Sequence, residues 1–121
     1  MATIDDFKNI EMMIGTILKA EYIEGADKLF RLEVNFGTKD STQEDGTIKQ
    51  EADIRQILLG IREYYQPEQL IGKQCPFVTN LEPRTLRGLV SNGMILAVGS
   101  ADGGAVLLHP DKVTPPGSKL R

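Results

Sequence analysis

The stretch "KLFRLEVNF", Lys28 to Phe36, sets Phe30, Leu32, Val34 and Phe36 at every second position, with Arg31, Glu33 and Asn35 between them. Successive side chains of a strand point to opposite faces, so this period of two describes a strand with one face on a core. Upstream, "MIGTILKAEY" alternates Ile14, Thr16, Leu18 and Ala20 with Gly15, Ile17, Lys19 and Glu21. Gly25 and Asp27 between the two runs suit a turn, and the pair reads as a hairpin.

Further along, Asp45-Gly46 favours a tight turn, and residues 38–53 are expected to form a long acidic hairpin tip, solvated and mobile, before a third strand at "IRQILLGI". In "YYQPEQLIGK", Pro67 suits the start of a helix, Glu68 its first turn and Gly72 its end, which predicts a short helix. "KQCPFVT" reads as a fourth strand, with Pro76 suggesting an edge or bulge position. "GMILAV" is a fifth strand, and "AVLLH" a last short one. The prolines of "PDKVTPPGSKLR" predict an extended tail. Three strands, a short helix and two more strands is the order of a five-stranded oligonucleotide-binding (OB-fold) Greek-key barrel, an all-β fold. Residues 1–121 form one domain, with an acidic hairpin insertion at 38–53 and a C-terminal extension from 99 to 121.

Composition narrows the chemistry. No run approaches the roughly 18 apolar residues of a membrane span, and "MATIDDFKNI" has neither the basic nor the apolar region of an export signal. Cys75 is the only cysteine, which excludes an internal disulfide and fits a reducing, cytoplasmic setting. With His109 as the only histidine, a Cys-His or Ser-His-Asp arrangement would have to be assembled from unrelated loops, and no catalytic residue is assigned. Asp5, Asp6 and Glu11 read as a solvated acidic turn, and neither a metal nor a cofactor is expected.

The net charge is −3, yet residues 38–53 alone sum to −3, so the remainder balances. Distribution therefore matters more than the total. Lys73, Arg84 and Arg87 flank the fourth strand and the loop after it, with Glu82 the only acidic residue between Ile71 and Ala101. Cations spaced along a groove neutralise phosphates, and Asn80 and Ser91 offer hydrogen bonds that hold a nucleic acid in register. The same arginines also suit a solvated loop. Arg31, on the polar side of the second strand, and Lys28 extend that face or else form a cross-strand ion pair. Met94 suits a base, a partner chain or the core. Tyr22, Tyr64 and Tyr65 suit base stacking, although the last two lie near the helix, where packing is expected.

The segments "IDDFKNIEMMIGTILKAE", "EGADKLFRLEVNFG", "RQILLGI", "NLEPRTLRGLVSNGMILAV" and "VLLHPDKVTPPGSKL" together resemble the tRNA-binding domain. That domain is found at the C-terminus of bacterial methionyl-tRNA synthetases, in free-standing homodimeric tRNA-binding proteins and in the endothelial monocyte-activating cytokine family. The elements A-D-K-L and N-L-x-P-R-x-x-R-G-x-x-S-x-G-M, in this order, carry the resemblance. It implies an OB-fold barrel and a non-catalytic module that holds tRNA without strong sequence preference. It also implies that Asn80, Arg84, Arg87 and Ser91 face tRNA, that Lys28 joins them, and that Met94 lies beside the binding loop. A homodimer is implied, with an aminoacyl-tRNA synthetase as a further partner.

Glu82, Met13 in a position often basic in relatives, and the acidic insertion at 38–53 each lower the expected phosphate affinity, so binding should be weak and salt-sensitive. A sister branch of export-related, chaperone-like proteins shares the "IDDF" opening, an "IKQ" element and a "VLL-x-PD" ending, here "TIKQEA" and "AVLLHPDK". A peptide-binding homodimer of the same fold is therefore the alternative.

Overall fold

A computed structural model describes residues 1–121 apart from 61–64 and 102–103, and describes the backbone alone at Asp27 and Lys28. The expected hairpin is β1 (Met12–Ile23) and β2 (Ala26–Thr42), followed by β3 (Ile48–Leu59), the short helix α2 (Pro67–Leu70) and β4 (Gln74–Val78). Short strands complete the chain: β5 (Arg84–Leu86), β6 (Leu89–Ser91), β7 (Met94–Ile95), β8 (Ala97–Gly99) and β9 (Ala105–Leu107). The main sheet is antiparallel in the order β3-β2-β1-β4-β7, while β5-β6 and β8-β9 form two-stranded ribbons. The sheet curls into an OB-like barrel, and β3 meets the segment between β6 and β7 where the Asn92 N–H donates to the Gln56 carbonyl at 2.9 Å.

The alternation of β2 decides which face is inside. Phe30, Leu32, Val34 and Phe36 are buried with Ile17 of β1, Ile57 and Leu59 of β3, Cys75 and Phe77 of β4 and Leu70 of α2. Each large side chain removed from water contributes roughly 1.5–3 kcal/mol before chain entropy is charged against it. Phe36 and Phe77 meet edge to face, with centroids 5.3 Å apart. β1 serves two neighbours, β4 along its first half and β2 along its second, and Gly15 lies where it changes partner. A Cβ there would collide with Val34 Cγ1 and the Phe36 ring, so the close crossing requires glycine.

Several expectations are corrected. Residues 38–53 form the expected hairpin and are largely exposed, but most of the segment is paired strand: pairing runs unbroken from Thr38↔Ala52 to Thr42↔Ile48, leaving only 43–47 as the turn. The ribbon is mostly polar, so its pairing comes from the register of the barrel and not from a hydrophobic pattern. At the turn, the Thr47 hydroxyl and N–H both donate to Asp45 and hold its carboxyl below the usual range. The "GMILAV" strand splits in two, β7 pairing with β4 and β8 pairing with β9. Pro76 is not on an edge strand, because β4 lies between β1 and β7. It is tolerated because the opposite residue, Ile14, sends its N–H to the Ser118 carbonyl, and β7 pairing is confined to Phe77 and Val78.

The N-terminal acidic turn is a short helix, α1 (Ile4–Lys8), closed by reciprocal bonds between Thr3 and Asp6. The tail is extended as expected and lies along β1: Leu120 N–H donates to Met12 O and Lys119 bridges Met13. Met13 itself is buried in the core.

Candidate nucleic-acid interface

The segment between β4 and β7 is not a loop. Arg84 opposes Ser91, Thr85 opposes Val90 and Leu86 opposes Leu89, forming a β5–β6 hairpin turned by Arg87 and Gly88. Both turn residues have positive φ, 54° at Arg87 and 77° at Gly88, as in the primed turns that match strand twist. Among the described residues, Arg87 is the only non-glycine residue with positive φ. A left-handed conformation costs a residue with a Cβ roughly 1–2 kcal/mol, and Asn, Asp or Gly fills such positions more readily.

The Arg84 and Arg87 side chains are exposed, and among the described residues neither guanidinium has an ion pair or hydrogen bond. Glu82 is exposed two residues before Arg84. Met94 is 48% exposed and not in the core. Leu81 and Val90 add exposed apolar surface to the same segment.

The other expected site residues are engaged within the fold. Asn80 Oδ1 accepts from Glu11 N–H at 2.8 Å and its Nδ2 donates to Asn9 O at 2.9 Å, tying the start of the segment to the end of α1. Ser91 is buried; its Oγ accepts from Leu58 N–H at 3.0 Å and donates to Gly93 O at 3.1 Å. Arg31 forms the cross-strand pair, with Nη1 2.8 Å from Glu21 Oε1 and 3.9 Å from Glu33 Oε2. The Lys28 side chain lies outside the described residues, as does Tyr64. Lys73 is exposed just before β4, whereas the hairpin follows the other end of that strand.

Gln56 was missed by the sequence reading. Its Oε1 accepts from Arg31 Nε at 2.6 Å and its Nε2 donates to Val90 O at 2.9 Å. The available signal was a polar residue within the "RQILLGI" strand, between the inward-facing Arg55–Ile57 neighbours. Tyr65 serves packing, its hydroxyl accepting from Leu107 N–H at 3.2 Å. Tyr22 stacks on Phe30 at 5.2 Å and donates to Gln66.

Cys75 and His109, unrelated in sequence, are brought together, with Sγ 3.6 Å from Nδ1. Nδ1 also lies 2.7 Å from the Gln74 carbonyl, which requires it to carry the proton. Burial pushes the thiol up to about 11, so the pair does not supply a thiolate at neutral pH. Asp6 and Glu11 are likewise used locally, Glu11 accepting from the Thr79 hydroxyl at 2.7 Å and facing Lys119 at 3.8 Å.

Residues 12–119 match the family model described as "Putative tRNA binding domain". The chain belongs to the tRNA-binding domain family. Among relatives of known name, it is 43% identical over 118 residues to a methionine–tRNA ligase of Methanococcoides burtonii, covering 98% of this chain. It is 44% identical over 117 residues to that of Methanothrix thermoacetophila, covering 97% of this chain. In both cases the chain spans 15% of the ligase's length, so it corresponds to one domain of those enzymes.

Solved structures agree with the family's barrel. A methionyl-tRNA-synthetase-related protein from Pyrococcus horikoshii superposes with a TM-score of 0.82 at 30% identity, covering 100% of this chain and 98% of the other. The chaperone CsaA of Bacillus anthracis gives 0.80 at 32% identity, covering 100% and 99%. Among the described residues, no helix is long and apolar enough to cross a membrane.

Proposed function

We propose that the chain is a non-catalytic, cytoplasmic tRNA-binding module that captures tRNA through backbone and shape contacts. It acts either free-standing or as the C-terminal part of a methionyl-tRNA synthetase. The observation that carries this reading is Arg87, a strained, exposed cation at the tip of a hairpin that also carries the exposed Arg84. Strain of this kind accumulates where a side chain must be presented outward, and two cations without internal partners suit phosphates. Asn80, Ser91 and Arg31 frame the hairpin; Lys28, through its match to the A-D-K-L element, and the exposed Met94 complete the proposed contact set. A homodimer would present two such faces to one tRNA, and a synthetase is the natural further partner.

Filter binding of unfractionated tRNA across a salt series tests the reading. The logarithm of the affinity should fall linearly with the logarithm of the salt concentration. An absence of binding at low salt, or binding without a salt slope, would overturn it.

The likeness to CsaA and the exposed Leu81, Val90 and Met94 favour one second reading, an apolar surface that holds unfolded polypeptide. On that reading Arg84→Ala leaves suppression of client aggregation unchanged.

A further inference from the structure

A ribbon of two three-residue strands is too small to hold its own position, so the direction of Arg84 and Arg87 depends on what fastens β5–β6 to the barrel. Ser91 and Asn92 fasten its end to β3 through Leu58 N–H and Gln56 O. Gln56 also acts through its side chain, at Val90. An arginine Nε can only donate and a carbonyl can only accept, so bonds to Arg31 Nε and Val90 O leave the Gln56 amide a single orientation. Arg31 is fixed in turn by Glu21 on β1 and Glu33 on its own strand. One line of side chains thus runs from Glu21 through Arg31 and Gln56 to β6, crossing four strands.

We propose that Gln56 is the positioning residue that aims the arginine hairpin at tRNA; the proposal rests on the tRNA-binding reading above. It assigns Arg31 a supporting role. With its charge shared with Glu21 and Glu33, Arg31 orients Gln56 and leaves phosphate contact to Arg84 and Arg87. Gln56 is only half-buried, so water can replace its partners when the amide is removed. Its loss should therefore loosen the hairpin more than it destabilises the barrel.

The test is a double-mutant cycle read by unfractionated tRNA binding over a potassium chloride series. It compares wild type, Gln56→Met, Arg84→Ala/Arg87→Ala and the triple variant. Gln56→Met should weaken binding by about three- to tenfold, the range for one lost hydrogen bond. It should also flatten the salt slope towards that of the arginine variant, and cause no further loss in the arginine-free background. Wild-type affinity in Gln56→Met, or an equal fold-loss in both backgrounds, overturns the positioning role alone. Failure of wild type to bind, or full binding by Arg84→Ala/Arg87→Ala, overturns the underlying reading and the proposal with it. Thermal unfolding checks folding; should Gln56→Met not fold, Gln56→Asn, one methylene too short to span both partners, replaces it in the same cycle.

Discussion

Arg55 clasps Asp53 from two positions along the same strand, Nε 2.9 Å from Oδ1 and Nη2 3.1 Å from Oδ2. Residues at i and i+2 share a face, so the pair is local to β3. Its reach is not, because Arg55 Nη1 also donates to Thr79 O at 2.7 Å, beyond the end of β4, and the guanidinium lies 5.2 Å from the Phe36 centroid. The contact pins the base of the acidic ribbon to the barrel.

Asp53 is buried with both oxygens occupied, so removing its partner strands a carboxylate away from water. Arg55→Ala should cost about 3 kcal/mol, a fall of roughly 10 °C in the unfolding midpoint. Calorimetry of Arg55→Ala beside Asp53→Ala/Arg55→Ala checks this. The double variant should be the more stable of the two, since no charge is left unpaired.

What the sequence revealed followed one rule. Where a strand buries one face, its pattern is visible, and Phe30 to Phe36 located β2 while Pro67 located α2. The ribbon at 38–53 lacks that pattern, and β5 and β6 are too short to show any. Asn80 and Ser91 were read as contacts because amides and hydroxyls suit phosphates. The same groups suit backbone partners, and only geometry assigns them to Glu11, Asn9, Leu58 and Gly93. Cys75 and His109 needed the fold to meet at all.

Burial raises the Cys75 thiol from 9.0 to about 11, and Lys73 opposes the shift. A folded state that holds its proton more tightly than the unfolded chain has its full stability below pH 9 and loses it as pH rises from 9 towards 11. Denaturant midpoints at pH 8 and 10.5 should therefore fall further for wild type than for Cys75→Ala, a difference that cancels the titration of other groups.

The α1 helix buries none of its side chains, and Ile4, Phe7, Ile10 and Leu120 line an open cleft between it and the tail. A second copy covering this cleft would remove apolar surface from water while leaving the arginine hairpin free. Light scattering after size exclusion should give a dimer for wild type and a monomer for Phe7→Asp, with unchanged far-ultraviolet circular dichroism. A wild-type monomer would remove the two-faced docking of tRNA.

Glu82 places a solvated carboxylate within the hairpin segment, two residues from Arg84. Reversing its sign adds a phosphate-neutralising group without touching the core. Glu82→Lys should tighten tRNA binding at low salt and steepen the salt slope by about one. Unchanged binding would place the RNA elsewhere on the barrel.

Arg87 offers the sharpest test because stability and binding should move in opposite directions. At φ 54° its Cβ is strained, and glycine adopts this conformation freely. Arg87→Gly should leave the unfolding midpoint equal to or above wild type, as relief of about 1 kcal/mol of strain offsets glycine's greater freedom in the unfolded chain. The same change removes a cation, so tRNA affinity should drop and the salt slope lessen by about one. Arg87→Lys keeps both the charge and the strain and should restore most of the affinity. If Arg87→Gly instead binds tRNA as wild type does, the strained turn serves some purpose other than contact with phosphate.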